Sequence, residues 1–150
     1  MIKVKNMFAP IDPDDGLRLL ICEDAEGDYP YPKPDGWKFE DNVDLYIRQL
    51  KPPFLAEPAR LRGGIDARLH GMTADAYFLQ NCREHYPKKD YCRNMAKLIA
   101  GYAERRNVTL MCFCPDLSIC HTGIVKEFIE RYMSKEQEGR VTEPFIGTLK

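Results

Sequence analysis

Two periods run through this chain. Alternating or short unbroken apolar runs mark strands, and apolar residues three and four apart mark helices. Residues 2–8 set Ile2 and Val4 against Lys3 and Lys5, as a half-exposed strand does, and Pro10 to Gly16 is dense in turn residues. Leu17 to Cys22 is short and apolar and is followed by Glu23 and Asp24, which predicts a more deeply buried strand with two carboxylates at its end. Residues 25–40, rich in Gly, Pro and Tyr, predict an ordered loop or lid. Asp41 is placed to cap a helix from about Asn42 to Leu50, because Val43, Tyr46, Ile47 and Leu50 fall on one helical face and Pro52 and Pro53 follow.

Phe54 to Leu69 carries Gly63 and Gly64 amid Arg60, Arg62 and Arg68, and paired glycines suit a sharp turn or a backbone that approaches a ligand closely. Thr73 is a natural cap for a helix from about Ala74 to Glu84, ended by Pro87. Asp90 is the matching cap for a second, to about Arg105, with Met95, Leu98, Ile99 and Tyr102 inward. Val108 to Phe113 then forms the most apolar strand, stopped by Pro115, and Cys120-His121-Thr122-Gly123 opens a helix whose buried stripe is Ile124, Val125, Phe128, Ile129 and Tyr132. Residues 135–150 read as a polar stretch followed by an edge strand or docked C-terminal tail. The whole pattern predicts a single α/β domain over 1–150, a layered sandwich with a mainly parallel sheet flanked by helices. Ligands of such sheets bind beyond the carboxyl ends of the strands, where Glu23, Asp24, Cys112 and Cys114 would share one pocket.

Composition narrows the classes of function. At 150 residues the chain suffices for a core without any cofactor, and a formal net charge of -1 gives no bulk attraction to nucleic acid or membrane. Basic residues are matched by acidic ones, so a nucleic-acid partner is disfavoured, whereas a small anionic ligand needs only a local site. No apolar run is long enough for a membrane span, and the opening MIKVKNMF lacks the apolar region of a signal peptide, which sets a cytoplasmic expectation. In that setting six cysteines read as reduced thiols, ligands or nucleophiles. A short edge strand at either terminus could pair with another copy or be covered, so no oligomeric state follows.

The chemistry concentrates in residues 112–123. Strand parity turns Cys112 and Cys114 to one side, and the short loop can bring Cys120 and His121 back beside them. Three readings follow. Cys112, Cys114, Cys120 and His121 suit tetrahedral zinc or an iron centre, although C-x-C and an adjacent Cys-His pair are not the common knuckle spacing. Alternatively Cys120 is a thiolate favoured by the helix N-terminus and His121, with Glu23 or Asp24 as acid or base. In that enzyme, of nucleotide- or nucleobase-processing type by analogy with α/β folds, the N–H groups of Thr122 and Gly123 and the Arg62-Gly63-Gly64 stretch would hold an anion. In the third reading the cysteines are small core residues of a non-catalytic ligand-binding or adaptor domain. Cys82 and Cys92 read as structural, and His70 and His85 as surface groups. Tyr29, Tyr31 and Trp37 could stack on a base, or pack the long loop against the domain.

The strand ending at Cys112, the loop with Pro115 and the Cys120-His121 helix start resemble the domain-of-unknown-function 488 family. The DG turn at Asp15-Gly16 between two strands is similar to its YeaO-like branch, and Leu61-Arg62-Gly63-Gly64 to that family's LGG element. The cysteine-histidine segment is also similar to a phage and bacterial family whose motif reads CWC, proline, CHG. The resemblance implies the α/β fold and no particular reaction. This chain departs from the 488 pattern at Ile21-Cys22-Glu23-Asp24, where arginine is usual, and at Thr122, where arginine often follows the Cys-His pair, so an anion site built on those arginines does not carry over.

Overall fold

The computed structural model describes residues 1–22, 33–52, 67–112 and 117–142, with the backbone alone at 119 and 134–142. Its centre is a sheet of four parallel strands, β1 (Ile2–Asn6), β2 (Leu17–Leu20), β3 (Leu45–Tyr46) and β4 (Val108–Cys112), in the spatial order β1-β4-β2-β3. The last of these four strands thus lies inside the sheet, between the first two. Val108 is opposite Ile2 on one side and Leu17 on the other, and every residue of β4 is buried, which is why the sequence there is unbroken in its hydrophobicity. The mixed α/β architecture and parallel sheet are those the pattern predicts.

Parity divides the sheet into two unlike faces. Ile2, Leu19, Ile21, Val108 and Leu110 form one core with the helices α2 (Ala74–Lys88), α3 (Asp90–Ala103) and α4 (His121–Thr142). Tyr86 of α2 is fully buried there and donates its hydroxyl to the carbonyls of Leu50 and Lys51, at 3.2 and 3.0 Å. The opposite face holds Lys3, Lys5 and Arg18 near one end. Towards the carboxyl ends comes a second cluster of Met7, Leu20, Cys22, Val43, Met111, Cys112 and Cys120, flanked by Phe8, Trp37, Phe39, Tyr46 and Leu117.

The charged end is tied together by Asp15, which is 1% exposed. Its carboxylate accepts from Lys3 (2.8 Å), Lys5 (2.9 Å), Arg18 and the backbone N–H of Asp12 (3.1 Å). Burial works to raise its pKa, but the hydrogen bonds from Lys3, Lys5 and Asp12 outweigh it and hold the carboxyl far below its ordinary range. The 10–16 segment is thereby strapped across the sheet, a role that its reading as a turn did not foresee. Gly16 closes the strap with φ +65°, and a Cβ there would lie 2.0 Å from the Asn107 carbonyl oxygen, so no other residue fits.

Four expectations are corrected. No helix runs from Asn42 to Leu50: α1 (Phe39–Asn42) is a single turn, β3 follows, and a 3₁₀ turn spans Arg48–Leu50. The N–H groups of Asp44 and Ile47 donate instead to Arg18 and Leu20 across the sheet, at 2.9 and 2.8 Å, while Val43, Ile47 and Leu50 are still buried. The edge of β2 offered this segment both acceptors and an apolar surface, which overrode its helical spacing. On α3 the buried residues are Cys92, Ala96, Ile99, Ala100 and Ala103, whereas Leu98 and Tyr102 are exposed, because small side chains let α3 lie close to its neighbours. Helix α2 runs through Pro87 to Lys88, one turn further than expected, and α4 continues through the polar 135–142 stretch. Thr73 does cap α2, its hydroxyl accepting from the N–H of Ala76 at 3.2 Å.

Candidate thiol and imidazole site

Beyond the carboxyl end of β4, a 3₁₀ turn (Leu117–Ile119) leads into α4, and Cys120 occupies the junction with its N–H on the Leu117 carbonyl. Cys120 and His121 are 2% and 1% exposed. The imidazole is positioned by the residue that follows β2, because its Nε2 lies 2.5 Å from the carbonyl oxygen of Ile21. A carbonyl can only accept, so Nε2 carries the hydrogen and donates it, and in the neutral ring Nδ1 keeps its lone pair. That lone pair is 3.5 Å from Cys120 Sγ. Cys112 completes the group: the Cys112, Cys120 and His121 donor atoms all lie within 4.8 Å of one another.

Backbone bonds hold this corner. Met7 N–H donates to the Cys112 carbonyl (2.9 Å), Ile21 N–H to that of Met111 (3.0 Å), and the Tyr46 hydroxyl to that of Cys22 (3.2 Å). Trp37 donates Nε1–H to the Met7 carbonyl at 3.2 Å and meets Phe8 edge-on, so it fastens the segment after the long loop to the sheet. That is the packing role weighed for it in the sequence. Thr122 and Gly123 follow in the first turn of α4, and the Thr122 hydroxyl is buried with no hydrogen-bond partner among the described residues.

The structure therefore brings together Cys112, Cys120, His121, Thr122 and Gly123. Glu23, Asp24, Arg62, Gly63, Gly64 and Cys114 lie outside the described residues, as do Tyr29, Tyr31 and 143–150. Among the described residues, an open cleft of about 690 Å³ lies at the other end of the sheet, lined by Gly16, Leu17, Leu45, Tyr102, Arg105 and Asn107 among others, and is not part of this chemistry. Burial, and to a smaller degree Cys120 nearby, pushes the Cys82 thiol up to about 12; burial pushes Cys92 up to about 11, and its thiol meets the Gln49 carbonyl. His70 is exposed and stacks on Tyr77, and His85, half-buried, is shifted down by burial and by Lys89.

The donor set also fits a soft cation. An imidazole that gives one N–H to a backbone carbonyl and keeps the other nitrogen free is the usual arrangement of a metal-bound histidine. Two thiolates beside it suit zinc or iron. Such an ion would be held by Cys112, Cys120 and His121 Nδ1.

Fold and site together define a parallel α/β protein with a buried cysteine-histidine group at the carboxyl ends of its strands. The chain belongs to the domain-of-unknown-function 488 family: residues 2–133 match the family model described as the active DUF488-N3 subclade. No curated protein and no solved structure matches the chain significantly. Among the described residues, no helix is long and apolar enough to cross a membrane.

Proposed function

We propose that this protein is an enzyme whose reaction runs on Cys120, with His121 as the group that takes and returns its proton. One observation carries the reading: the Ile21 carbonyl fixes the Nε2–H tautomer and leaves the Nδ1 lone pair facing Cys120 Sγ. Proton transfer from Sγ to Nδ1 yields a thiolate beside an imidazolium that the same carbonyl continues to stabilise. The thiolate also lies at the N-terminus of α4, whose dipole favours negative charge. Burial of both side chains keeps water from competing as a nucleophile or proton sink. The matched subclade is described as active, in keeping with a working site. Glu23 and Asp24 follow β2 in sequence and are the candidates for a second acid or base. Substrates of a nucleotide-like, anionic kind accord with a helix N-terminus at the carboxyl edge of a parallel sheet.

A second reading, favoured by the proximity of Cys112, is a zinc or iron centre on the same three donors. One experiment separates the two. Protein purified without added metal is assayed for zinc and iron per chain, and the rate at which each cysteine reacts with iodoacetamide is read from peptide masses. All five described cysteines are buried, so each meets reagent only as its cover opens, and the ratio of rates is the informative quantity. A Cys120 rate at least about tenfold above those of Cys82 and Cys92, without stoichiometric metal, is the expected result. About one metal per chain, with Cys112 and Cys120 protected until chelator is added, would replace the thiolate enzyme by the metal centre.

A further inference from the structure

We infer that the first turn of α4 is the seat of an oxyanion, a phosphate-sized group of the ligand, gripped by the Thr122 hydroxyl and the N–H groups of Thr122 and Gly123. This deepens the reading of the Cys120 site and rests on it for the identity of the reacting centre. Two residues of that turn are poorly used in the protein alone. Thr122 is fully buried, yet its hydroxyl oxygen has no hydrogen-bond partner among the described residues. A hydroxyl taken from water and left unpaired is destabilising, and native structures seldom keep one without a use. The helix sets where that side chain starts: each Cα–Cβ bond tilts towards the N-terminus, so the Thr122 side chain leaves α4 on the side of Cys120 and His121.

Gly123 is the second. Its backbone does not require glycine, since it is not among the residues with positive φ. Packing does not require it either: a Cβ built there would meet nothing within 4 Å among the described residues. Glycine is the poorest helix former after proline, so its position here weakens the helix start and leaves open space above the backbone. A ligand that approaches the N–H groups needs that space. Both amides fall among the first four of the helix, which have no intrahelical acceptor, and α4 is 22 residues long. A hydroxyl without a partner among the described residues, two amides at the helix start and a clear space thus coincide one residue from the thiol and imidazole pair. What all three would accept is an anionic oxygen.

The test uses the full chain and inorganic phosphate as probe, with binding read by titration calorimetry and the melting temperature recorded in parallel. Thr122→Val keeps the shape and removes the hydroxyl; Thr122→Ser keeps the hydroxyl. Wild type is expected to bind phosphate, Thr122→Val to bind at least about tenfold more weakly, and Thr122→Ser to recover most of the affinity. Without phosphate, Thr122→Val should melt about 2–4 °C higher, because the unpaired hydroxyl is gone. Gly123→Ala should likewise melt higher and bind more weakly. Wild type that fails to bind phosphate, or a valine variant that binds it equally well, overturns the seat. A valine variant that melts lower or does not fold overturns it too, because the hydroxyl would then have a structural partner. None of these readouts needs a reactive Cys120. Phosphate binding through Thr122 with a sluggish thiol would therefore retire the nucleophile and keep the anion seat.

Discussion

Cys120 and Cys82 are both buried thiols, and their neighbours separate them. Cys82 meets mainly apolar surroundings that push its pKa up to about 12, whereas Cys120 has an imidazole lone pair within hydrogen-bond reach. The pairing depends on one backbone carbonyl, so a change at His121 should act through the proton and not through packing alone. In His121→Gln the side-chain amide can still donate to Ile21 while no basic nitrogen faces the sulfur. The alkylation rate of Cys120 at neutral pH should fall at least about tenfold. Stability should fall by only about 1 kcal/mol in a urea titration. Equal rates in the two proteins would remove His121 from the chemistry. At this scale the sequence was half legible. Cys120-His121 at a helix start, and the return of Cys120 towards Cys112, could be read from spacing and parity. That the histidine would be held by Ile21 could not, because residues 100 positions apart meet only once the strand order is known.

Elements were legible where local pattern and tertiary demand agree. The strand at Val108 and the helix after Cys120 were recoverable because β4 is buried throughout and α4 buries the stripe its spacing describes. The 43–50 segment was not, since β2 offered it an edge to pair with, a fact absent from its own residues. Asp15 was missed for the same reason: Lys3 and Lys5 looked like solvent-facing alternation, and only their shared parity with Arg18 hinted at a common partner. The strap ending at Gly16 gives a test at the scale of elements. Gly16→Ala places a Cβ against the Asn107 carbonyl at positive φ and should destabilise by at least about 2 kcal/mol. Gly36→Ala, also at positive φ but with nothing within 4 Å of its Cβ among the described residues, should have about 1 kcal/mol of effect. Comparison of the two urea midpoints checks this, and equal shifts would mean that the strap yields.

For the molecule as a whole, the Asp15 cluster sets how acid is tolerated. The folded pKa of Asp15 is below its unfolded value, so the carboxylate's contribution is present above the unfolded pKa and is lost as pH falls from about 5 towards the folded value. Asp14, lowered by its hydrogen bond to Lys3, works in the same direction. Asp15→Asn leaves buried Arg18 without its counter-charge and should lose about 3 kcal/mol near neutrality, with a shallower decline below pH 5. Urea unfolding at several pH values would show it, and parallel curves for the two proteins would exclude Asp15 as the source. The order of the strands has a consequence for how the chain is born. On the ribosome β1 and β2 emerge early, but they do not pair with each other in the finished sheet; β3 soon follows for one edge of β2, while β1 and the other edge of β2 wait for β4. Until residue 112 has left the exit tunnel, the nascent chain has no strand to lay between them. Its apolar strand edges must then be kept from wrong partners, and the same late arrival that completes the sheet also delivers Cys112 and, a few residues on, the pair at 120 and 121. Assembly of the site and closure of the sheet are one event.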